Sequence, residues 1–286
     1  MHVLKLDISH SIIDNIRKTA EHLGFSLNTP GNYQSLNLKR PDCNIILYSS
    51  GKMVIQGRQS EHYFMIFSES LSPSPYAHYG SDEAGKGDFF GPLTVCSCYV
   101  SEKDFRTILT LGIKESKGMS RESVHRQAKE LKSFIPYKCV VISPEKYNSL
   151  YKKIGNLNKM LDWAHKKSNS LLCDIMGNSD DIYIDKYSKS IDISIPGHNI
   201  IKEEKAERHP AVGAASIIAK QEFISWIEKK EKEIGMKIPL GSSNVKSAAV
   251  KIAEKKGIAF LETLCKKHFR TYGEIRNIIS AQSLPL

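Results

Sequence analysis

The sequence predicts a mixed α/β domain preceded by a small α+β unit. Three observations carry that expectation. Beyond residue 80, β-rich runs alternate with helical patterns, as in a mixed sheet flanked by helices. Before residue 68, one amphipathic helix is followed by three short strands. Between them, SESLSPSPYAHY contains Ser-Pro-Ser-Pro and reads as a linker. The expected organisation is an N-terminal domain over 1–67, a linker over 68–79 and a larger domain over 80–286.

The elements follow in order. Ile12, Ile13, Ile16, Ala20 and Leu23 recur at helical spacing, with Ser11 as the expected N-cap and Gly24 as the stop. Strands are expected over 33–39, 44–49 and 52–57. In the first, Leu36 and Leu38 share one face, while Tyr33, Ser35, Asn37 and Lys39 share the other. In the third, Met53 and Ile55 oppose Lys52, Val54 and Gln56. A helix covering the apolar side leaves Tyr33, Asn37, Lys39 and Lys52 on an open face. That face is either a nucleic-acid platform or an ordinary solvated surface. After the linker, LTVCSCYV (93–100) reads as a strand, 120–133 as a helix, 138–143 as a strand and 157–176 as a long helix. DIYID (181–185) reads as a buried strand. A helix rich in small residues starts near 210, with further helices near 244–256 and 258–268.

The bulk properties narrow the function. The 286 residues carry a formal net charge of +10, which favours a polyanionic partner, nucleic acid ahead of an acidic membrane. No run approaches the roughly 18 apolar residues of a membrane span, and no secretory signal opens the chain. The six cysteines form no C-x-x-C pair and no zinc spacing. Cys96 and Cys98 read as small apolar packing residues. An intracellular, reducing compartment, the cytoplasm, is expected, and a monomer is the default.

GSDEAGKGDFFGP (80–92) holds the chemistry. It nearly spells a phosphate-binding loop, but Gly87 replaces the required hydroxyl, and Asp82 and Glu83 would repel a triphosphate. The run that follows is a strand rather than a helix, which also disfavours a dinucleotide fingerprint. The carboxylates give a different reading. In a basic protein seeking a polyanion, a divalent cation explains acidic residues, because it binds them and faces the phosphate. Asp185, at the end of DIYID, and Glu207, ahead of the small-residue helix, are candidate partners. Singly, these positions read equally as turn residues or as a charged first helical turn.

Taken together, GSDEAGKGDFFGP, GIKESKGMS (112–120), DIYIDKY (181–187) and KAERHPAVGAASIIAK (205–220) resemble the type 2 ribonucleases H in order and approximate spacing. Gly-Lys-Gly at 85–87, the Glu of Lys205-Ala206-Glu207 and the N-terminal extension resemble the bacterial ribonuclease HIII branch rather than HII. Lys266-Lys267-His268-Phe269 resembles the family's C-terminal K-x-H-F.

The resemblance implies a ribonuclease H-like mixed sheet and an N-terminal α+β domain resembling the TATA-binding fold that holds the hybrid. It implies catalytic and metal-holding roles for Asp82, Glu83, Asp185 and Glu207, with Mg²⁺ or Mn²⁺ and no organic cofactor. Gly85, Lys86 and Gly87 become substrate contacts, with Ser116 and Lys117 as further phosphate contacts. Glu115 stands where the family has Asp and is kept outside the set. The implied activity is hydrolysis of the RNA strand of an RNA–DNA hybrid, leaving 5′-phosphate and 3′-hydroxyl ends. The alternatives are incision at single ribonucleotides embedded in DNA, a non-catalytic hybrid-binding protein and a nucleotide-binding ATPase.

Overall fold

The computed structural model describes the chain except Asp7 and residues 72–75, 112–117 and 283–286. It contains two compact units, Met1–Ser74 and Pro75–Leu286.

In the first unit the order is β1 (His2–Lys5), α1 (His10–His22), β2 (Ser26–Asn28), β3 (Gln34–Lys39), β4 (Cys43–Tyr48), β5 (Lys52–Gly57) and α2 (Ser60–Ser70). Among the described residues the strands form an antiparallel sheet in the order β1-β5-β4-β3-β2. Alternation works as expected: Leu36, Leu38, Ile45, Leu47, Met53 and Ile55 are buried against Ile16 and Ala20 of α1 and Tyr63 and Phe67 of α2. Three details differ from the sequence reading. The N-cap of α1 is Ser9, whose Oγ accepts from Ile12 N at 3.2 Å, so Ser11 falls inside the helix. The stretch read as linker begins inside α2, because Tyr63 and Phe67 draw that helix onto the sheet through Ser70. Tyr33 precedes β3 in a left-handed turn (φ 62°) and is 82% exposed, so strand alternation does not set its direction.

In the second unit the order is β6 (His78–Ala84), β7 (Leu93–Val100), α3 (Glu102–Thr110), α4 (Arg121–Lys132), β8 (Tyr137–Ile142), α5 (Pro144–Ile154) and α6 (Leu157–Met176). Then come β9 (Ile182–Asp185), β10 (Ile200–Glu203), a 3₁₀ turn over Ala206–Arg208, α7 (Pro210–Ile234), α8 (Lys246–Lys256), α9 (Ile258–Glu262) and α10 (Arg270–Gln282). The sheet runs β10-β9-β6-β7-β8, with β10, β9 and β6 mutually parallel and β7 antiparallel to both neighbours. This is the mixed sheet flanked by helices that the sequence predicts.

β7 is buried along its whole length because both faces are covered. Cys96, Cys98 and Val100 pack with Ala211, Ala214 and Ala215 of α7. Leu93 and Val95 pack with Met160, Leu161 and Ala164 of α6. The small residues of α7 let it lie almost on β6: a Cβ on Gly80 would stand 2.4 Å from Val212 N.

Two further expectations are corrected. Cys96 is bonded to Cys139, which faces it directly in the β7–β8 register, while Cys98 is a free buried thiol. The predicted helix over 258–268 stops at Glu262. Beyond it, Lys266 N donates to Phe89 O (2.8 Å) and Gly91 N to Leu264 O (2.9 Å), so pairing with the glycine loop replaces the last helical turns. Among the described residues no helix is long and apolar enough to cross a membrane.

Candidate active site

A cavity of about 430 Å³ opens where β6 and β9 end beside α7. Its lining includes Asp82, Glu83, Asp185 and Glu207, so four carboxylates distant along the chain meet at one surface. β6 brings Asp82 and Glu83, parallel pairing sets β9 and Asp185 alongside, and the 3₁₀ turn before α7 carries Glu207. Asp185 Oδ1 accepts from Ala206 N at 3.0 Å, which ties that turn to the strand end.

Adjacent residues of a strand leave on opposite faces, and Asp82 and Glu83 do so. Asp82 is held from the α7 side by Ser216 and accepts from the Glu83 backbone N at 2.8 Å. Glu83 turns toward α6, where Oε2 lies 3.3 Å from His165 Nε2, and its other oxygen lies 3.4 Å from Lys86 Nζ. His165 is fully buried, with Nδ1 2.8 Å from Ser81 Oγ, and Ser81 Oγ accepts from Asn169 Nδ2 at 2.9 Å. The Glu83 carboxylate can only accept, so it is Nε2–H of His165 that faces it, with Ser81 Oγ hydrogen-bonded to Nδ1 on the other side of the ring.

The two carboxyl groups titrate in opposite directions. Burial, then the charge of Glu83, raises Asp82 to about 7, with Asp185 adding to the shift. Burial also pushes Glu83 upward, but His165 and Lys86 outweigh it and hold Glu83 below its ordinary value. One member of the pair is therefore kept ionised and the other tends to hold a proton.

The glycine loop borders the cavity. Gly85 (φ 83°) lies so close to the chain that a Cβ would stand 2.1 Å from Pro92 O, whereas Gly87 is exposed and a Cβ there would meet nothing within 4 Å. Lys86 Nζ pairs with Glu83 and sits 5.3 Å from the centre of the Tyr187 ring. Several lining residues escaped the sequence reading: Asp88, Ser216, Lys220, Phe223 and Leu240. Ser216 and Lys220 stand four apart on α7, a spacing that puts both on one helical face and was legible in ASIIAK. His165, Ser168 and Asn169 form a buried polar face on α6 that looks like an ordinary amphipathic pattern in sequence.

Lys266 opens the K-x-H-F motif read from the sequence, but its role is unforeseen. Its side chain is fully buried, and Nζ donates to Asp88 O (2.8 Å) and Gly91 O (2.7 Å). Asp88 Oδ1 in turn accepts from Gly241 N at 2.6 Å. The C-terminal segment and the 241 loop are thus tied to the back of the glycine loop.

Of the other expected contacts, Ser116 and Lys117 lie outside the described residues. Tyr33, Asn37, Lys39 and Lys52 belong to the first unit and do not line this cavity. Lys39 and Lys52 are exposed and Asn37 is half-buried on the sheet face opposite the helices.

The family model for ribonuclease HII matches residues 79–272. Ribonuclease HIII of Protochlamydia amoebophila is 32% identical, with 96% of this chain and 96% of that protein aligned. Among solved structures, Bst-RNase HIII in complex with Mn²⁺ superposes with a TM-score of 0.69 at 27% identity, covering 98% of this chain and 99% of that one. Aquifex aeolicus RNase H3 gives 0.58 at 32% identity, covering 93% and 98%. Matching family motifs that line one cavity, together with full-length likeness, lead to one conclusion: the chain belongs to the type 2 ribonucleases H, in the ribonuclease HIII branch of the ribonuclease HII family.

Proposed function

We propose that the chain is a cytoplasmic, monomeric endonuclease that hydrolyses the RNA strand of RNA–DNA hybrids, leaving 5′-phosphate and 3′-hydroxyl ends. The observation that carries the reading is the convergence of Asp82, Glu83, Asp185 and Glu207 on one cavity of a basic protein.

These residues fit divalent metal. The donors are all oxygen, which suits Mg²⁺ or Mn²⁺ rather than zinc. The raised Asp82 carboxyl marks negative charge that a cation would neutralise. Among the described residues no three His, Cys, Asp or Glu side chains converge tightly enough to make a finished ligand cage, so the carboxylates surround the cavity as an open set. Asp82, Glu83, Asp185 and Glu207 are the groups that would hold the ions, with Asp82 central. When bound, the ions supply positive charge against the scissile phosphate and lower the pKa of water.

The remaining groups position and select. Ser216 orients Asp82, and His165 orients Glu83. Lys220 brings a cation into the same cavity, where a phosphate oxygen would lie. The backbone at Gly87 is open to a sugar 2′-hydroxyl, the group that separates RNA from DNA. Lys86 would exchange its contact with Glu83 for a backbone phosphate. Ser116 and Lys117 are proposed phosphate contacts. The exposed sheet face of the first unit, with Asn37, Lys39 and Lys52, and Tyr33 in the turn before β3 would hold the duplex without reading its sequence. In the cytoplasm, the Cys96–Cys139 bond would be open to reduction to two thiols.

The decisive experiment is cleavage of an end-labelled hybrid with and without divalent metal, in wild type and Asp185→Asn. Metal-dependent cutting of the RNA strand, lost in the variant, is expected. Full cutting by Asp185→Asn would overturn the site assignment, and no cutting by wild type would overturn the function.

A further inference from the structure

A second cavity, of about 530 Å³, lies at the start of α6 and is lined by Asn158, Lys159, Trp163 and Lys166 together with Asp162 and Asp192. Trp163 is 48% exposed, although the neighbouring residues Leu161, Ala164 and His165 of the same helix are buried. Lys159, Trp163 and Lys166 recur at helical spacing, so a flat aromatic surface is flanked by cations on one face. Lys167, and Lys152 and Lys153 of α5, are exposed as well. Asp162, which accepts from the Tyr187 hydroxyl at 2.5 Å, and Asp192 share the wall with Lys159 and Lys166, and the exposed Lys152, Lys153 and Lys167 add positive charge on α5 and α6.

This cavity is coupled to the candidate active site by a short run of contacts. Tyr187, bonded to Asp162, stacks on His165 with ring centres 5.1 Å apart. The same ring carries the Lys86 ammonium, and Lys86 and His165 both contact Glu83. Tyr187 thus links Lys86, beside the active site, to Asp162 in the wall of the Trp163 cavity.

We propose that the Trp163 cavity is a stacking subsite for an unpaired base of a nucleic-acid strand continuing beyond the hybrid, with Lys159 and Lys166 on the flanking phosphates. The occupant is single-stranded nucleic acid because an aromatic platform interleaved with lysines serves any base without reading it. A base paired inside the duplex has both faces stacked and cannot lie flat on Trp163. The inference rests on the hybrid-nuclease reading and deepens it: the preferred substrate is a hybrid with a single-stranded flank.

The test measures binding of the full-length chain in metal-free buffer to a blunt hybrid and to hybrids with a short unpaired tail at each of the four strand ends. At least one tail should tighten binding about tenfold, the size of one base–aromatic stack. Trp163→Ala should remove that gain and leave blunt-hybrid affinity unchanged, while Trp163→Phe should retain most of it. Lys159→Ala with Lys166→Ala should reduce the gain and flatten its salt dependence. A parallel titration uses fluorescence of the Trp226→Phe chain, in which Trp163 is the sole tryptophan. An unpaired oligonucleotide should quench it. No gain from any tail, or a gain that survives Trp163→Ala, overturns the proposal. If blunt hybrid is bound neither in metal-free buffer nor by the Asp185→Asn chain with Mg²⁺ added, the hybrid reading fails by itself, and the quenching titration decides the subsite alone, absence of quenching overturning it.

Discussion

Lys266→Met tests whether the buried Lys266 amino group holds the glycine loop. Methionine keeps the unbranched stem and removes the group that donates to Asp88 O and Gly91 O. Burial lowers the Lys266 ammonium from 10.5 to about 7, the charge of Asp88 opposing part of the shift. A folded pKa below the unfolded value means that the unfolded chain binds the proton more tightly. The side chain's stabilising contribution is therefore complete above the unfolded pKa and declines as pH falls toward the folded one. Between pH 9 and pH 7 the loss is about 2 kcal/mol, and the Met variant lacks it. Against this, two carbonyls left without a donor cost about 1–3 kcal/mol each. At pH 9 the variant should be clearly less stable than wild type, and the gap should narrow by about 2 kcal/mol at pH 7. Urea unfolding of both proteins at pH 7, 8 and 9, with m-values compared, measures this directly. A stability difference that is flat with pH would refute the buried-amine argument. Activity should also fall in the variant, with an unchanged salt dependence of binding, since Lys266 is too deeply buried to meet a phosphate.

Asp82→Asn should reduce hybrid cleavage by at least about a hundredfold, the size of losing one preorganised electrostatic contact, in a single-turnover assay. The same variant should be more stable than metal-free wild type at pH 8: with the folded pKa raised from 3.8 to about 7, the burden of ionising Asp82 builds between those values and is complete at pH 8. Mg²⁺ or Mn²⁺ should raise the Tm of wild type more at pH 8 than at pH 6, and much less in Asp82→Asn, as read by calorimetry. Gly85→Ala places a Cβ 2.1 Å from Pro92 O at φ 83°. It should cost about 1–3 kcal/mol and displace the loop, lowering kcat/KM for the hybrid. Removing Met1–Ser74 should leave a folded Pro75–Leu286 unit that cuts hybrid only at higher enzyme concentration, and unchanged hybrid affinity would exclude the first unit from substrate binding.

Local patterns were legible where one short stretch decides the outcome. LTVCSCYV has no polar face, and a strand buried on both sides needs none. The small residues after Pro210 announce a helix lying close on a sheet, and Gly80 against Val212 is that contact. The four carboxylates could be named because motif order ties together positions that no local rule connects. What escaped depends on distant partners. Ser9 and Ser11 are equivalent in composition, and only the helix's entry onto the sheet selects Ser9 as the cap. Lys266 looks like one member of an exposed Lys-Lys pair, yet the Phe90–Cys265 bridge turns it inward. Cys96 and Cys139 are separated by 43 residues, and the β7–β8 register alone places them face to face.

The Asp82-Glu83 pair shows why adjacency is useful here. Two carboxylates crowded on one face would share one environment and lose charge together. Strand alternation instead gives each its own neighbours: Ser216 on the α7 side for Asp82, His165 and Lys86 for Glu83. The pair becomes asymmetric, with Glu83 held ionised while Asp82 is driven toward neutrality by burial and by Glu83 itself. Environments that push two titratable groups apart assign them different roles. Glu83 is a fixed negative wall, and on the proposed reading Asp82 would exchange a proton for a cation, so occupancy by metal should release protons near neutral pH. The basic remainder of the chain draws the phosphate backbone toward this acidic spot, and the cation is what lets the two meet.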